Sequence, residues 1–170
     1  YVILAQHLDD QAETLLLQMI RGAGVRGLSA MPVIRNQIGQ SGGQHVDLGP
    51  QILRPLLNVS RSEIEGYARE HKLSWIKDES NNDISIARNF LRHKVFPLLE
   101  TKFPAYRTTF LRTSRHMAEA NCLLDDLARF DSKNCIISGR IQIKKFQELN
   151  SLRAKNLLRY DLVRRGMTLP

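Results

Sequence analysis

His7, Asp9, Asp10 and Glu13 place one imidazole and three carboxylates within seven residues of chain. On a helix, Asp10 and Glu13 project from one face, one turn apart. A carboxylate pair with that geometry suits Mg²⁺ or an ammonium group. The same Asp-x-x-Glu pattern also reads as a capping box, with Asp10 at the N-cap and Glu13 at N3, worth about 1 kcal/mol. Capping does not need the third carboxylate of Asp9, and His7 adds a base on the same turn.

The elements around this turn must position it. Tyr1-Val2-Ile3-Leu4-Ala5 is an apolar run that ends in a polar burst, the pattern of a buried parallel strand feeding a strand-to-helix turn. In open α/β sheets, ligands bind at that end of a strand. A helix is expected from about Asp10 to Arg21, with Ala12, Leu15, Leu16, Met19 and Ile20 inward and Gly22 as its stop. The polar segment from Arg35 to Pro50 reads as a surface loop or loose hairpin. Residues 52–57 return to extended structure, and Ser60-x-x-Glu63 opens a helix as a capping box. Leu73-Ser74-Trp75-Ile76 reads as a short strand, which makes the first 80 residues alternate between strand and helix.

Beyond the polar stretch 78–83 the character changes. A helical segment carries Arg88 and Arg92 one turn apart, and Pro97 breaks or restarts it. Pro104 opens the longest helix, to about Phe130, with Tyr106, Phe110, Met117, Leu124 and Leu127 at core-like spacing. Residues 136–143 read as a hairpin, and a last helix runs from Ser151 to Arg165.

Composition bounds the function classes. The chain has 170 residues, and no apolar stretch approaches the roughly 20 needed to span a bilayer, so no membrane partner is expected. Cys122 and Cys135 lack metal-ligand spacing, and a reducing cytoplasm is the default. Net charge is +8, but residues 1–87 carry −2 and residues 88–170 carry +10. Such asymmetry fits a polyanionic partner for the second half. Residue 1 already lies inside a core-like strand, which suggests a piece of a longer polypeptide.

Gln6-His7-Leu8-Asp9-Asp10-Gln11-Ala12-Glu13-Thr14, followed by Arg21-Gly22-Ala23-Gly24-Val25-Arg26-Gly27-Leu28, closely resembles the tRNA(Ile)-lysidine synthetases, a family of PP-loop ATP pyrophosphatases. Three further blocks match in order: Leu53-Arg54-Pro55-Leu56-Leu57, Trp75-Ile76-Lys77-Asp78-Glu79-Ser80-Asn81, and Arg88-Asn89-Phe90-Leu91-Arg92 with Pro97. The resemblance implies an α/β fold. It would be the C-terminal part of a PP-loop parallel-sheet domain (adenine nucleotide alpha-hydrolase-like, Rossmann-type) over 1–100. A mainly helical, incomplete tRNA-recognition domain would follow over 101–170.

The implied chemistry uses ATP and Mg²⁺ to adenylate the wobble cytidine of tRNA(Ile) with a CAU anticodon. Free L-lysine then displaces AMP. Asp10 and Glu13 match the acidic residues that hold Mg²⁺ or the lysine ammonium, with Asp10 as the metal ligand. His7 matches a motif histidine able to meet phosphate or accept a proton. Many members have two adjacent histidines there, and here the first is Gln6. Arg88 and Arg92 match the basic motif that clamps phosphate or tRNA. The resemblance leaves a homodimer open.

The family's ATP loop, Ser-Gly-Gly-x-Asp-Ser, is expected before Tyr1. Ser41-Gly42-Gly43-Gln44-His45 fails that match after its glycines and reads as a flexible loop. In the basic half, Arg107, Arg112, Arg115, Lys144, Lys145, Arg153, Lys155, Arg159, Arg164 and Arg165 are candidate phosphate contacts. Two rival readings are a PP-loop tRNA cytidine thiolase, which would ordinarily bring more cysteines, and a helical RNA-binding module without chemistry.

Overall fold

Leu8, Ala12 and Leu15 recur at helical spacing and all are buried, so the first helix turns one face inward. It begins earlier than the sequence suggests. In the computed structural model, which describes residues 1–35, 38–41, 44–47, 50–76 and 78–167 (backbone only for 38–41 and 44–47), α1 spans Leu8–Ile20. His7 is its N-cap, and Asp10 rather than Glu13 occupies N3. Gly22 follows the C-cap Arg21 at φ +71°, a left-handed turn that glycine adopts without strain.

The chain divides into two compact units, 1–34 with 53–118 and 35–52 with 119–170. Helices dominate the described residues, and the strands are few and short. The first unit holds β1 (Val2–Ile3), α1, α2 (Val25–Leu28), α3 (Arg61–Glu70), α4 (Ala87–Phe90), a π-helical turn (Leu91–Val95), α5 (Phe96–Lys102) and the first part of α6 (Tyr106–Cys135), while β2 (Ile34–Arg35) and β5 (Ile52–Leu53) fall at its boundary. The three strands form one sheet in the order β1-β5-β2. Backbone bonds from Leu4 to Leu53 and from Arg54 to Val33 extend its pairing.

Two expectations are corrected here. The β1 strand is exposed, with Ile3 at 68%, because it lies at the edge of the described sheet. Leu73–Ile76 is not a strand, and Ile76 is 96% exposed. An apolar run without a neighbouring ladder has nothing to pair with.

Ser60 caps α3 as its sequence predicts, accepting the Glu63 N–H while Glu63 accepts the Ser60 N–H. Pro97 sits in the first turn of α5. It cannot donate to the carbonyl one turn back, and the helix widens to the π turn directly before it. The core of this unit joins Ala12, Leu91, Phe96 and Tyr106, with Phe96 and Tyr106 stacked at 5.1 Å.

In the second unit, β3 (Ile38–Ser41) pairs antiparallel with β4 (Gln44–Asp47), Ser41 facing Gln44. The stretch read as a flexible loop is therefore flanked by paired strand, and Gly42 and Gly43 lie outside the described residues. The β6 (Ile136–Ile137) and β7 (Arg140–Ile141) strands form a hairpin across Ser138 and Gly139, both at positive φ. Two helices follow, α7 (Ile143–Gln147) and α8 (Ser151–Arg164). The long helix runs to Cys135, beyond its expected end, and buries Ala128, Asp131 and Cys135, while Leu127, expected inward, is 38% exposed. The α8 helix meets this face through Asn156, which donates to the Leu124 carbonyl at 2.6 Å, and Arg153, which pairs with Asp131.

Candidate active site

The four residues singled out by type and spacing sit together on the first turns of α1, each with different partners. His7 Nδ1 accepts the Asp10 N–H at 3.4 Å, and Asp10 Oδ2 accepts the His7 N–H at 3.0 Å. The box is therefore shifted three residues from its expected register, which frees Glu13 from capping. The His7 ring also lies 3.7 Å from Asp9 and 3.5 Å from Asp10.

Glu13 is wholly buried and faces two arginines from the α4–π segment. Arg92 donates both arms of its fork, Nε to Oε1 at 2.8 Å and Nη2 to Oε2 at 3.1 Å. Arg88 approaches with Nε at 3.4 Å and donates Nη2 to Thr14 Oγ1 at 3.2 Å. Bidentate geometry is what a buried carboxylate needs to offset its lost hydration. Burial pushes the Glu13 carboxyl up against the pull of Arg92, and the same pairing holds Arg92 more firmly charged.

Asp10 is the least committed of the three carboxylates. Beyond the cap, its Oδ1 meets Arg92 only at 3.6 Å. Asp9 is fully engaged: Oδ1 accepts Arg107 Nε at 2.6 Å, and Oδ2 accepts the Arg61 backbone N–H at 2.8 Å. Burial would raise its carboxyl, but these two donors outweigh burial and hold it below the usual range.

The sequence-predicted residues His7, Asp10, Glu13, Arg88 and Arg92 are thus brought together. Three others carry structure that the sequence did not assign. Arg54, buried, donates Nε to Gln6 Oε1 and Nη1 to the Pro32 carbonyl at 3.1 Å, so Gln6 is an acceptor here. Gln11 binds both backbone groups of Met31, which pins the segment after α2. Asn89, also buried, donates to the carbonyls of Ser80 and Asp83, tying the polar stretch to α4. Arg54, Gln11 and Asn89 all lie in blocks quoted above, and that is the only signal the sequence holds for them.

Several of the candidate phosphate contacts are taken up internally: Arg107 by Asp9 and Glu100, Arg115 by Asn58, Lys145 by Glu148, Arg153 by buried Asp131, and Arg165 by Asp161. Arg112, Lys144, Lys155, Arg159 and Arg164 are exposed and have no partner among the described residues. Among those residues, no group of three or more His, Cys, Asp or Glu is arranged to hold a metal ion, and no helix is long and apolar enough to cross a membrane. A Mg²⁺ that takes most of its ligands from phosphate and water needs only one or two protein carboxylates, and Asp10 fits that demand.

Residues 1–99 match the PP-loop domain, and the chain belongs to that family. It is similar along its length to proteins named tRNA(Ile)-lysidine synthase. That of Nitrosomonas europaea is 52% identical over 170 residues, covering 100% of this chain and 36% of the relative. That of Azoarcus sp. is 42% identical over 173 residues, with 100% and 36% covered. That of Pseudomonas aeruginosa is 40% identical over 169 residues, with 93% and 36% covered. The chain spans about a third of the length of these relatives.

Proposed function

We propose that the protein containing these residues is a cytoplasmic tRNA(Ile)-lysidine synthase. In this reading 1–100 complete the parallel sheet of an ATP-using PP-loop domain, and 101–170 begin the part that binds tRNA. The observation that carries it is the cluster of Arg92 and Arg88 on buried Glu13, beside Asp10 as the least committed carboxylate, in a chain matched from end to end by lysidine synthases.

The chemistry has two balanced steps. The C2 oxygen of the wobble cytidine attacks the α-phosphorus of ATP and pyrophosphate leaves. The lysine ε-amine then attacks C2, AMP leaves with that oxygen, and the amine gives up a proton. Glu13 and Arg92 form a fixed polar wall. Asp10 meets the lysine ammonium or supplies a carboxylate to Mg²⁺, which when bound neutralises phosphate charge. The part of the Arg88 fork not spent on Thr14 and Glu13 turns to phosphate, and His7 holds the turn and takes up a proton or a phosphate contact. The tRNA carries a CAU anticodon, and a homodimer is compatible with this arrangement.

The test is product analysis on the full-length protein with ATP, L-lysine and tRNA(Ile). Lysidine, AMP and pyrophosphate in equal amounts are expected; 2-thiocytidine, or RNA binding without AMP release, would replace this reading with one of its rivals. In that protein, Asp10→Ala should abolish lysidine formation while costing only about 1 kcal/mol of stability as a cap. The 170 residues alone contain no Ser-Gly-Gly-x-Asp-Ser segment and should release no AMP.

A further inference from the structure

The capping box on the first turn of α1 has one firm arm and one weak one. The His7 N–H reaches Asp10 at 3.0 Å, but the return bond from the Asp10 N–H to His7 is 3.4 Å, at the long end for a hydrogen bond, and histidine is not among the preferred N-cap residues. This turn carries Asp10, the carboxylate with the fewest protein donors. Asp9 is placed to add a second hold on it. One oxygen caps the first N–H of α3 across 52 residues, and the other takes Arg107 of α6 across 98. Arg107 is itself anchored. It donates Nη1 to Glu100 at 2.7 Å and lies over the Tyr106 ring at 4.6 Å, and Tyr106 belongs to the core with Phe96.

We infer that Asp9 is a positioning residue, clipped by Arg107 and the α3 N-terminus, whose task is to hold the α1 turn so that Asp10 meets the substrate. The inference rests on the reading of the site as a lysidine synthase centre. Both Asp9 oxygens already accept from protein donors, whereas Asp10 Oδ1 has no hydrogen-bond donor among the described residues closer than Arg92 at 3.6 Å, so Asp10 is the better placed of the two to meet a ligand. The acidic motif then divides into three tasks: Asp9 fixes the turn, Asp10 faces the reactants, and Glu13 anchors the two arginines.

Two measurements test it. In the 170-residue chain, Asp9→Asn and Arg107→Gln should each speed amide hydrogen exchange of Asp10 and Gln11 about tenfold, leaving the last turn of α1 unchanged. Unchanged exchange in both variants would overturn the clip. In the full-length protein each variant should lower kcat at least tenfold with the KM values for ATP, lysine and Mg²⁺ held, and the double variant should be no worse than either single one. A raised KM for Mg²⁺ or lysine in Asp9→Asn, with Arg107→Gln silent, would instead make Asp9 a ligand. A lowered melting temperature with normal kcat would reduce it to a structural residue. If the unsubstituted protein forms no lysidine, the functional reading fails, and the exchange experiment still decides the clip.

Discussion

At the scale of single residues, the three carboxylates of one turn differ because their partners differ. Glu13 is buried with both oxygens on Arg92, so removing either partner strands a charge in a dry site. Glu13→Ala should cost about 3 kcal/mol or more in denaturant melts of this chain, several times the cost of Asp10→Ala. Asp9 sets a pH signature. Its folded carboxyl titrates below its ordinary value of 3.8, so its contribution is fully present above that value and is lost as pH falls through the folded pKa. Asp9→Asn should flatten the acid limb of the stability profile, measured by urea melts below pH 4 or so. Glu13 has the opposite sign. Its carboxyl is raised, so the ionised form carries a cost that disappears as pH falls, and Glu13→Gln should steepen the net acid loss.

Elements show how much a local pattern can reveal. Ser60 and Glu63 are three residues apart and cap α3 as written, because a capping box needs nothing beyond its own turn. Gly22 stops α1 for the same local reason. Propensity alone favours Asp10 as the N-cap of α1, whereas the structure places there histidine, a residue rarely found at that position. The Glu13–Arg92 fork joins residues 79 apart, and no periodicity announces a pairing across that distance. Leu73–Ile76 has the composition of a strand, but composition does not supply a neighbour. On α6, Leu127 has core-like spacing while the buried residues are Ala128, Asp131 and Cys135, and α8 reaches that face through polar partners, Arg153 on Asp131 and Asn156 on the Leu124 carbonyl. Asp131 is the test of that face. It is 2% exposed and held by Arg153, so Asp131→Ala should destabilise the second unit, read as faster amide exchange in α8.

Across the whole molecule, the charge that matters for the proposed RNA partner is the number of free cations. The second half is net positive, and several of its Lys and Arg side chains are held in internal pairs with Glu100, Asp131, Glu148 and Asp161. Five exposed cations, Arg112, Lys144, Lys155, Arg159 and Arg164, have no partner among the described residues. If each meets one phosphate, log K for tRNA should fall with log salt at a slope of about −4, measured by filter binding from 50 to 200 mM salt. A slope near zero would mean that these charges are only solvated. The ten cations read from sequence would have given about twice that slope, since a sequence shows charges but not which of them are already neutralised.

The ion pairs of the acidic turn also set an order of events. Asp9, Asp10 and Glu13 find their arginine partners, Arg88, Arg92 and Arg107, 75 to 98 residues further along the chain. During synthesis the turn is therefore made early and its counter-charges late, so a nascent or prematurely ended chain that stops before Arg88 carries three carboxylates with none of those cations to meet them. The site acts as a check on completeness: only a chain translated through the start of α6 can close it.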